Sequence, residues 1–330
     1  MVKEVEVTLV LPGLADEMQR LKTSGKLPKA CQPFLRRAKR YLHPYSNEAV
    51  KFKLWCDVVP DALPIAAITA IADGLQISPH WLRADPIHLT VDLAQVYHLN
   101  QPPLVLTAEE MHEVAKILQP LLAEFNFQLH MPSTTRWYLQ CPTEPRLSTF
   151  SPDDFLGKSL IDYFPRGDDR KFWLQLFTEV QMLLQNCAIN QARRARRQPT
   201  IDALWFWGNG ELNLQKSTTI FDAVFAEDIM TLGLAKWRQC RVIQPIKPWD
   251  FRILHEFSRP GNYLVSFTNL FLESMQFDEI IIQVELLFST LSRSLARKKI
   301  SSFRLYPGDK HCYHVTISAF PWWWPWRTSQ

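Results

Sequence analysis

Glycine is scarce in this chain, 10 of 330 residues against 23 prolines, so its connections should be stiff rather than flexible. No Walker loop, Gly-x-Ser-x-Gly elbow or His-Glu-x-x-His helix occurs, and no Gly-x-Gly-x-x-Gly nucleotide signature either. The six cysteines, Cys31, Cys56, Cys141, Cys187, Cys240 and Cys312, form no Cys-x-x-Cys pair, which leaves a zinc site or thioredoxin-like motif without support. No apolar run approaches eighteen residues, so no membrane span is expected. The opening Met1-Val2-Lys3-Glu4-Val5-Glu6 reads as a charged strand and not as a signal peptide. A net charge of +4 is too weak to imply nucleic acid or a membrane by itself. Together these point to a cytoplasmic protein with reduced thiols.

What is present is ordinary globular material: 47% hydrophobic and 21% charged residues, enough for a sizeable core in one large domain or two smaller ones. Val5 to Leu11 alternates and then turns continuously apolar, which predicts a first strand buried on both faces and central in its sheet. Ala62 to Ala72 reads as a small-residue helix stopped by Asp73-Gly74. Thr107 with Glu110 three residues on is a capping-box start for a helix to about 124. Ser151-Pro152-Asp153-Asp154 is a second capped start, and Asp169 opens a long amphipathic helix to Cys187. Strands follow near 242–246 and 263–267, a helix at 279–299, then strands at 302–306 and 313–319. Strands alternating with helices argue for an α/β sheet with helices on both faces.

Several residues are candidates for chemistry. His80, Asp85 and His88 are the densest potential ligand group, but Pro86 argues against a helix that would align them, and the alternative is that Asp85 caps a turn while His88 satisfies a buried polar group. Asn190, Arg193, Trp205, Trp207, Gly208 and Gly210 form an Asn-x-x-Arg turn followed by an aromatic strand ending in Gly-x-Gly. Trp205 and Trp207 read equally as core or as a pocket wall; the glycines permit close backbone approach or positive φ. The run Arg193-Arg194-Ala195-Arg196-Arg197 reads as a solvated helix end. Pro321-Trp322-Trp323-Trp324-Pro325-Trp326 is expected to pack back on the body with two tryptophans buried.

The order from Ser151 to Gly210 resembles the archaeal-type, cofactor-independent phosphoglycerate mutases of the alkaline phosphatase superfamily. The Trp205-x-Trp207-Gly208 and Ala84-Asp85-Pro86-x-His88-Leu89 segments are also similar to short bacterial proteins described as regulators of pathogenicity factors. The resemblance implies one shortened alkaline phosphatase-like α/β domain over 1–330, with a small inserted lobe at about 85–150. The mutases end their first strand in a metal-binding aspartate; here Pro12 stands there, and Asp16 matches only a later position of the pattern. The ligand cluster after the strand near 263 reads Ser266-Phe267-Thr268-Asn269, and the closing Asp-His pair is replaced by separated Asp309, His311 and His314. The expectation is therefore a non-catalytic, regulatory bacterial protein without metal or cofactor. Its crevice, formed by Asn190, Arg193, Trp205, Trp207, Gly208, Gly210, Asp85 and His88, is expected to take a small anionic ligand or a protein partner. A phosphomutase or phosphatase with rearranged metal ligands is the alternative.

Overall fold

The computed structural model describes residues 4–76, 78, 80–92, 95–98, 104–212, 217–218, 221–244, 257, 259–268 and 275–317. The tryptophan-rich tail, Trp322 to Trp326, lies outside them, as does most of the 268–275 segment. The chain clusters into two compact units, Met1–Val59 with Gln215–Gln330 and Pro60–Leu214.

The first unit is built on a seven-stranded sheet. In chain order its strands are β1 (Val5–Val10), β2 (Lys39–Leu42), β9 (Ala223–Ala226), β10 (Val242–Ile243), β11 (Gly261–Ser266), β12 (Ser302–Tyr306) and β13 (His311–Thr316). They lie in the order β10-β9-β11-β1-β12-β13-β2. Strands β10, β9, β11, β1 and β12 are mutually parallel, while β13 runs antiparallel to both β12 and β2. The first strand is central, as its apolar run predicts, with β11 on one side and β12 on the other.

Helices cover both faces of this sheet. Val7 and Leu9 of β1, Tyr263 and Val265 of β11, and Phe303 and Leu305 of β12 point to one face. There they meet α1 (Leu14–Thr23), α2 (Cys31–Arg37) and α9 (Phe277–Ala296), whose Ile280, Val284, Leu287, Phe288, Leu291 and Leu295 recur at helical spacing. Residues of opposite parity, among them Thr8, Val10, Leu264 and Ser266, face the other way and are also buried. On that side lie α3 (Asn47–Trp55) and α8 (Ile229–Trp237); Thr231 of α8 donates its hydroxyl to Ser266 at 3.0 Å.

The second unit departs from the parallel pattern. Its sheet, in the order β6-β7-β3-β8, is antiparallel throughout: β3 (Trp81–Ile87), β6 (Gln128–His130), β7 (Tyr138–Gln140) and β8 (Ala203–Trp207). A two-stranded ribbon, β4 (Leu89–Asp92) with β5 (Gln95–His98), adjoins in sequence. Leu82, Ala84, Leu204 and Phe206 pack on α5 (Ala108–Glu124) and α6 (Arg170–Gln185) through Val114, Leu118, Trp173 and Val180. Opposite them, Trp81 and Tyr138 meet Ala66, Ala67 and Ala70 of α4 (Ile65–Ala72). A short α7 (Ala188–Ala195) leads into β8.

One local expectation changes. Ser151 does form a capping box with Asp154, but it starts a single 3₁₀ turn, Pro152–Phe155, because Leu156 is already extended. Pro86 argues against a helix, and it lies inside a strand. β3 runs through it to Ile87, and β7 pairs only with Trp81 to Arg83, so the missing N–H falls where one side of the strand has no partner in the register.

Gly308 sets how closely the loop after β12 approaches the turn after β1. A Cβ there would lie 2.7 Å from Gly13 N, with φ at +98°. Gly25 also has positive φ, at +70°, but nothing within 4 Å of its would-be Cβ. Gly25→Ala should cost about 1–2 kcal/mol from the left-handed backbone alone. Gly308→Ala should cost more than that, because backbone must also shift. Urea unfolding of both variants measures the difference, and equal losses would show that the close approach is not a constraint.

Candidate functional site

In open α/β sheets ligands gather at the carboxyl ends of the strands. In the first unit those ends are occupied as follows. β1 runs into Leu11-Pro12-Gly13, with Leu11 N bonded to Tyr306 O and Ala15 N to Pro307 O. β9 leads to Glu227 and Asp228, and β11 ends at Ser266, followed by Phe267 and Thr268. Thr268 donates its N–H and its hydroxyl to Glu227 Oε1, each at 3.2 Å.

Asp228 is the focus of this edge and is 3% exposed. Its Oδ1 accepts from Lys51 Nζ at 2.7 Å and from Thr231 N at 2.9 Å, the latter bond capping α8. Its Oδ2 accepts the Ser266 hydroxyl at 2.6 Å. Burial alone would raise this carboxyl; the Lys51 ammonium, with the bonds from Lys51, Ser266 and Thr231, outweighs burial and holds it below the ordinary carboxylate value. Lys51 is itself buried, on α3. The pair joins residues 177 positions apart.

A divalent ion needs several carboxylate or imidazole donors converging on one point. The described residues of this edge do not fit a metal pair. The Asp228 carboxylate faces an ammonium; the Ser266 hydroxyl is already donated to Asp228, and the Thr231 hydroxyl to Ser266. Among the described residues, no group of three or more His, Cys, Asp or Glu side chains could hold a metal ion. Asp309, in the loop that follows the carboxyl end of β12, accepts from His311 N at 3.0 Å and from the Tyr313 hydroxyl at 3.2 Å.

In the second unit the structure joins the candidate residues to the chain's own groups. Asn190 donates to Leu184 O at 2.7 Å and Ile201 O at 2.8 Å, and accepts from Ile201 N at 2.9 Å. It thereby ties the end of α6 to the run-in of β8. Arg193 is 2% exposed, a correction to the reading of this run as a solvated helix end. It donates to Pro199 O at 2.6 Å, to Val105 O at 3.2 Å and to Glu110 Oε2 at 2.7 Å. Glu110 is also the capping-box residue of α5, accepting from Thr107 N at 3.0 Å.

Gly208 and Gly210 lie beyond the other end of β8. The seven residue steps from Ile201 to Gly208, most of them along β8, span on the order of 20 Å. Asn190 and Arg193 therefore do not share a crevice end with the Gly-x-Gly turn, contrary to the expectation from spacing. The glycines serve close approach within the unit. A Cβ at Gly210 would lie 2.6 Å from Ala62 O, and Gly208, at φ +74°, accepts from Ala66 N at 2.9 Å as α4 begins. Trp205 is core, donating to Phe150 O at 2.8 Å and ringed by Phe155, Phe164 and Phe177.

His80, Asp85 and His88 do not converge: Asp85 and His88 take separate partners. Asp85 caps no turn; it sits buried in β3, where Oδ1 accepts Arg83 Nε and Nη2 at 3.1 and 2.7 Å and Trp137 N at 3.2 Å. Its Oδ2 accepts Trp207 Nε1 at 2.8 Å. Burial pushes this carboxyl up against the opposing pull of Arg83 and its hydrogen bonds. The Arg83 guanidinium lies 5.2 Å from the Tyr138 ring and 5.3 Å from the Trp207 ring. His88 Nδ1 is 2.7 Å from Asp202 Oδ2, which also accepts Leu89 N at 2.8 Å. His80 Nδ1 is shielded and has no hydrogen-bond partner among the described residues.

The His88–Asp202 pair gives stability a pH signature. The bond from Asp202 raises His88 above its ordinary 6.5, so its contribution is complete below that value and is lost as pH rises through the folded pKa. Burial would raise Asp202, but His88, Leu89 and Thr200 hold it below 3.8, so its contribution is present above 3.8 and lost as pH falls through its lowered folded value. His88→Ala should remove the decline in unfolding free energy above about pH 6.5. Urea titrations from pH 5 to 9 measure this; an unchanged alkaline slope would show that the pair does not couple to folding.

No family model matches the chain. A stretch of 59 residues is 30% identical to the 2,3-bisphosphoglycerate-independent phosphoglycerate mutase of Methanothrix thermoacetophila, covering 18% of this chain and 15% of that protein's length. Similar solved structures include the cofactor-independent phosphoglycerate mutase of Thermoplasma acidophilum, with TM-score 0.50 and 13% identity over 96% of this chain and 90% of that one. The PH0037 protein of Pyrococcus horikoshii is similar with TM-score 0.56 and 10% identity, over 96% and 88%. At these identities the likeness is one of fold. The central mostly parallel sheet with helices on both faces is the alkaline phosphatase-like fold of the phosphoglycerate mutases.

Proposed function

We propose that this chain is a non-catalytic, cytoplasmic regulatory protein on a phosphoglycerate mutase-like fold, acting through a bound small anion or a protein partner. The observation that carries the reading is the buried Lys51 ammonium 2.7 Å from Asp228 at the carboxyl edge of the sheet. A tethered cation neutralises the carboxylate that a divalent ion would need, and Pro12 follows β1 where the mutase pattern has a metal-binding aspartate. No described helix is long and apolar enough to cross a membrane, which is compatible with a cytoplasmic location. The local 30% identity to a mutase keeps the phosphomutase reading as the alternative to be tested.

The test is interconversion of 3- and 2-phosphoglycerate by the purified protein with added manganese. The expected result is no turnover above the uncatalysed rate. Turnover that follows the protein through purification overturns the non-catalytic reading.

The ion pair makes a separate prediction. Lys51→Met should destabilise by about 3–5 kcal/mol, because it leaves Asp228 buried and unpaired. Adding Asp228→Asn should restore most of that loss, since the amide keeps hydrogen-bonding capacity without the charge. Denaturant unfolding of the single and double variants measures it; a double variant no better than Lys51→Met would mean the lysine acts through packing.

A further inference from the structure

On the face of the first sheet that carries Arg304, a cavity of about 420 Å³ opens between β12, β13, β2 and α3. The register explains its lining. Arg304 pairs with His314 and Cys312 with Tyr41, so these side chains, with Tyr306, share one face. Lys53 of α3 and His43, just beyond β2, complete the basic set. Lys53, Arg304, His43 and His314 thus bring four nitrogen-bearing groups to a lining that contains no Asp or Glu. Three tyrosines, Tyr41, Tyr45 and Tyr306, supply planar apolar walls.

His43 is the most telling member. Its ring lies 6.1 Å from Tyr45, nearly parallel, and 5.7 Å from Tyr306. Both ring nitrogens are shielded from solvent and have no hydrogen-bond partner among the described residues. A buried polar atom left unpaired is unfavourable, and a ligand oxygen or ring nitrogen would relieve it. The two strong bases are available. Lys53 gives one N–H to Asp57 O at 2.6 Å and keeps two. Arg304 meets Glu6 at 3.7 Å, with both side chains close to half exposed, a pairing weak enough to exchange.

We propose that this cavity binds a phosphate monoester that carries a planar ring, the phosphate lying between Lys53 and Arg304 and the ring against the tyrosine walls and His43. Charge selects the phosphate, and the aromatic walls select a ring over a purely aliphatic body. The proposal deepens, and rests on, the reading of a protein that acts by binding a small anion. It shares no residue with the Lys51–Asp228 pair, so mutase activity and ligand binding can fail independently.

Isothermal titration of the full chain with adenosine 5′-monophosphate tests it, with adenosine, inorganic phosphate and 3-phosphoglycerate as controls. Adenosine monophosphate should bind with a dissociation constant below about 1 mM, and each control at least about ten-fold more weakly. Lys53→Met and Arg304→Gln change partly exposed side chains and should leave the melting temperature near that of the parent. Each should weaken the nucleotide about ten-fold, the loss of one charge-assisted contact. His43→Phe, which keeps the ring and removes the nitrogens, should weaken it while leaving the fold at least as stable. No saturable binding of adenosine monophosphate, binding unaltered by the Lys53 and Arg304 variants, or equal binding of inorganic phosphate or 3-phosphoglycerate would each overturn the assignment. Loss of nucleotide binding with mutase activity absent would leave the non-catalytic reading standing and remove only this site.

Discussion

A lysine and an aspartate buried together are the constraint around which the first unit is arranged. Taking either charge out of water alone would cost several kcal/mol. Asp228 offsets this by serving three elements at once: it accepts the Lys51 ammonium from α3, caps α8 through Thr231 N, and receives the hydroxyl of Ser266 from the end of β11. The position of one carboxylate thus fixes α3 and α8 on the same face of the sheet, beside β9 and β11. Such a pair is weak evidence for net stability, because well-packed apolar residues often do as well. Its consequence is positional, and at this edge of an alkaline phosphatase-like sheet position decides chemistry.

The second unit uses the same device for a different end. Arg193 with Glu110, and Arg83 with Asp85, are buried charges that staple loops and strands to one another. Glu110 caps α5 and also receives Arg193, so the start of α5 and the end of α7 are held by one carboxylate. Asn190 does the corresponding neutral work between α6 and β8. An Asn-x-x-Arg motif matching a family of enzymes is therefore compatible with a role in holding the fold on which a site would be built.

Much of this architecture was legible in local pattern, and the rest was not for identifiable reasons. The apolar run of β1, the Thr107–Glu110 capping box and the helical stripe of α9 are short-range signals, and each element formed where its signal lies. Pro86 argues against a helix but does not say how a strand could hold it; the short reach of β7 shows how β3 continues through it. Lys51 gave no signal at all. Its partner is 177 residues away, and on α3 it is one of two lysines, Lys51 and Lys53, two positions apart. One is buried against Asp228 and the other faces a cavity, a difference set by helix phase and tertiary packing. Arg193 was hidden in a basic run whose other members, Arg194, Arg196 and Arg197, are exposed.

Asp85 and Asp228 show how the partners of a buried carboxylate decide whether burial wins. Both are almost wholly withdrawn from solvent, and burial pushes both upward. Asp228 ends below its ordinary value because an ammonium and a hydroxyl divide its two oxygens and a helix N–H adds to one of them. Asp85 ends above it because its complete burial outweighs the pull of the Arg83 guanidinium and of the Trp207 and Trp137 N–H groups. A carboxylate held low by an internal cation has little left to offer a metal or a proton. The basic, tyrosine-walled cavity beside β12 rests instead on charges that no internal carboxylate has fully claimed.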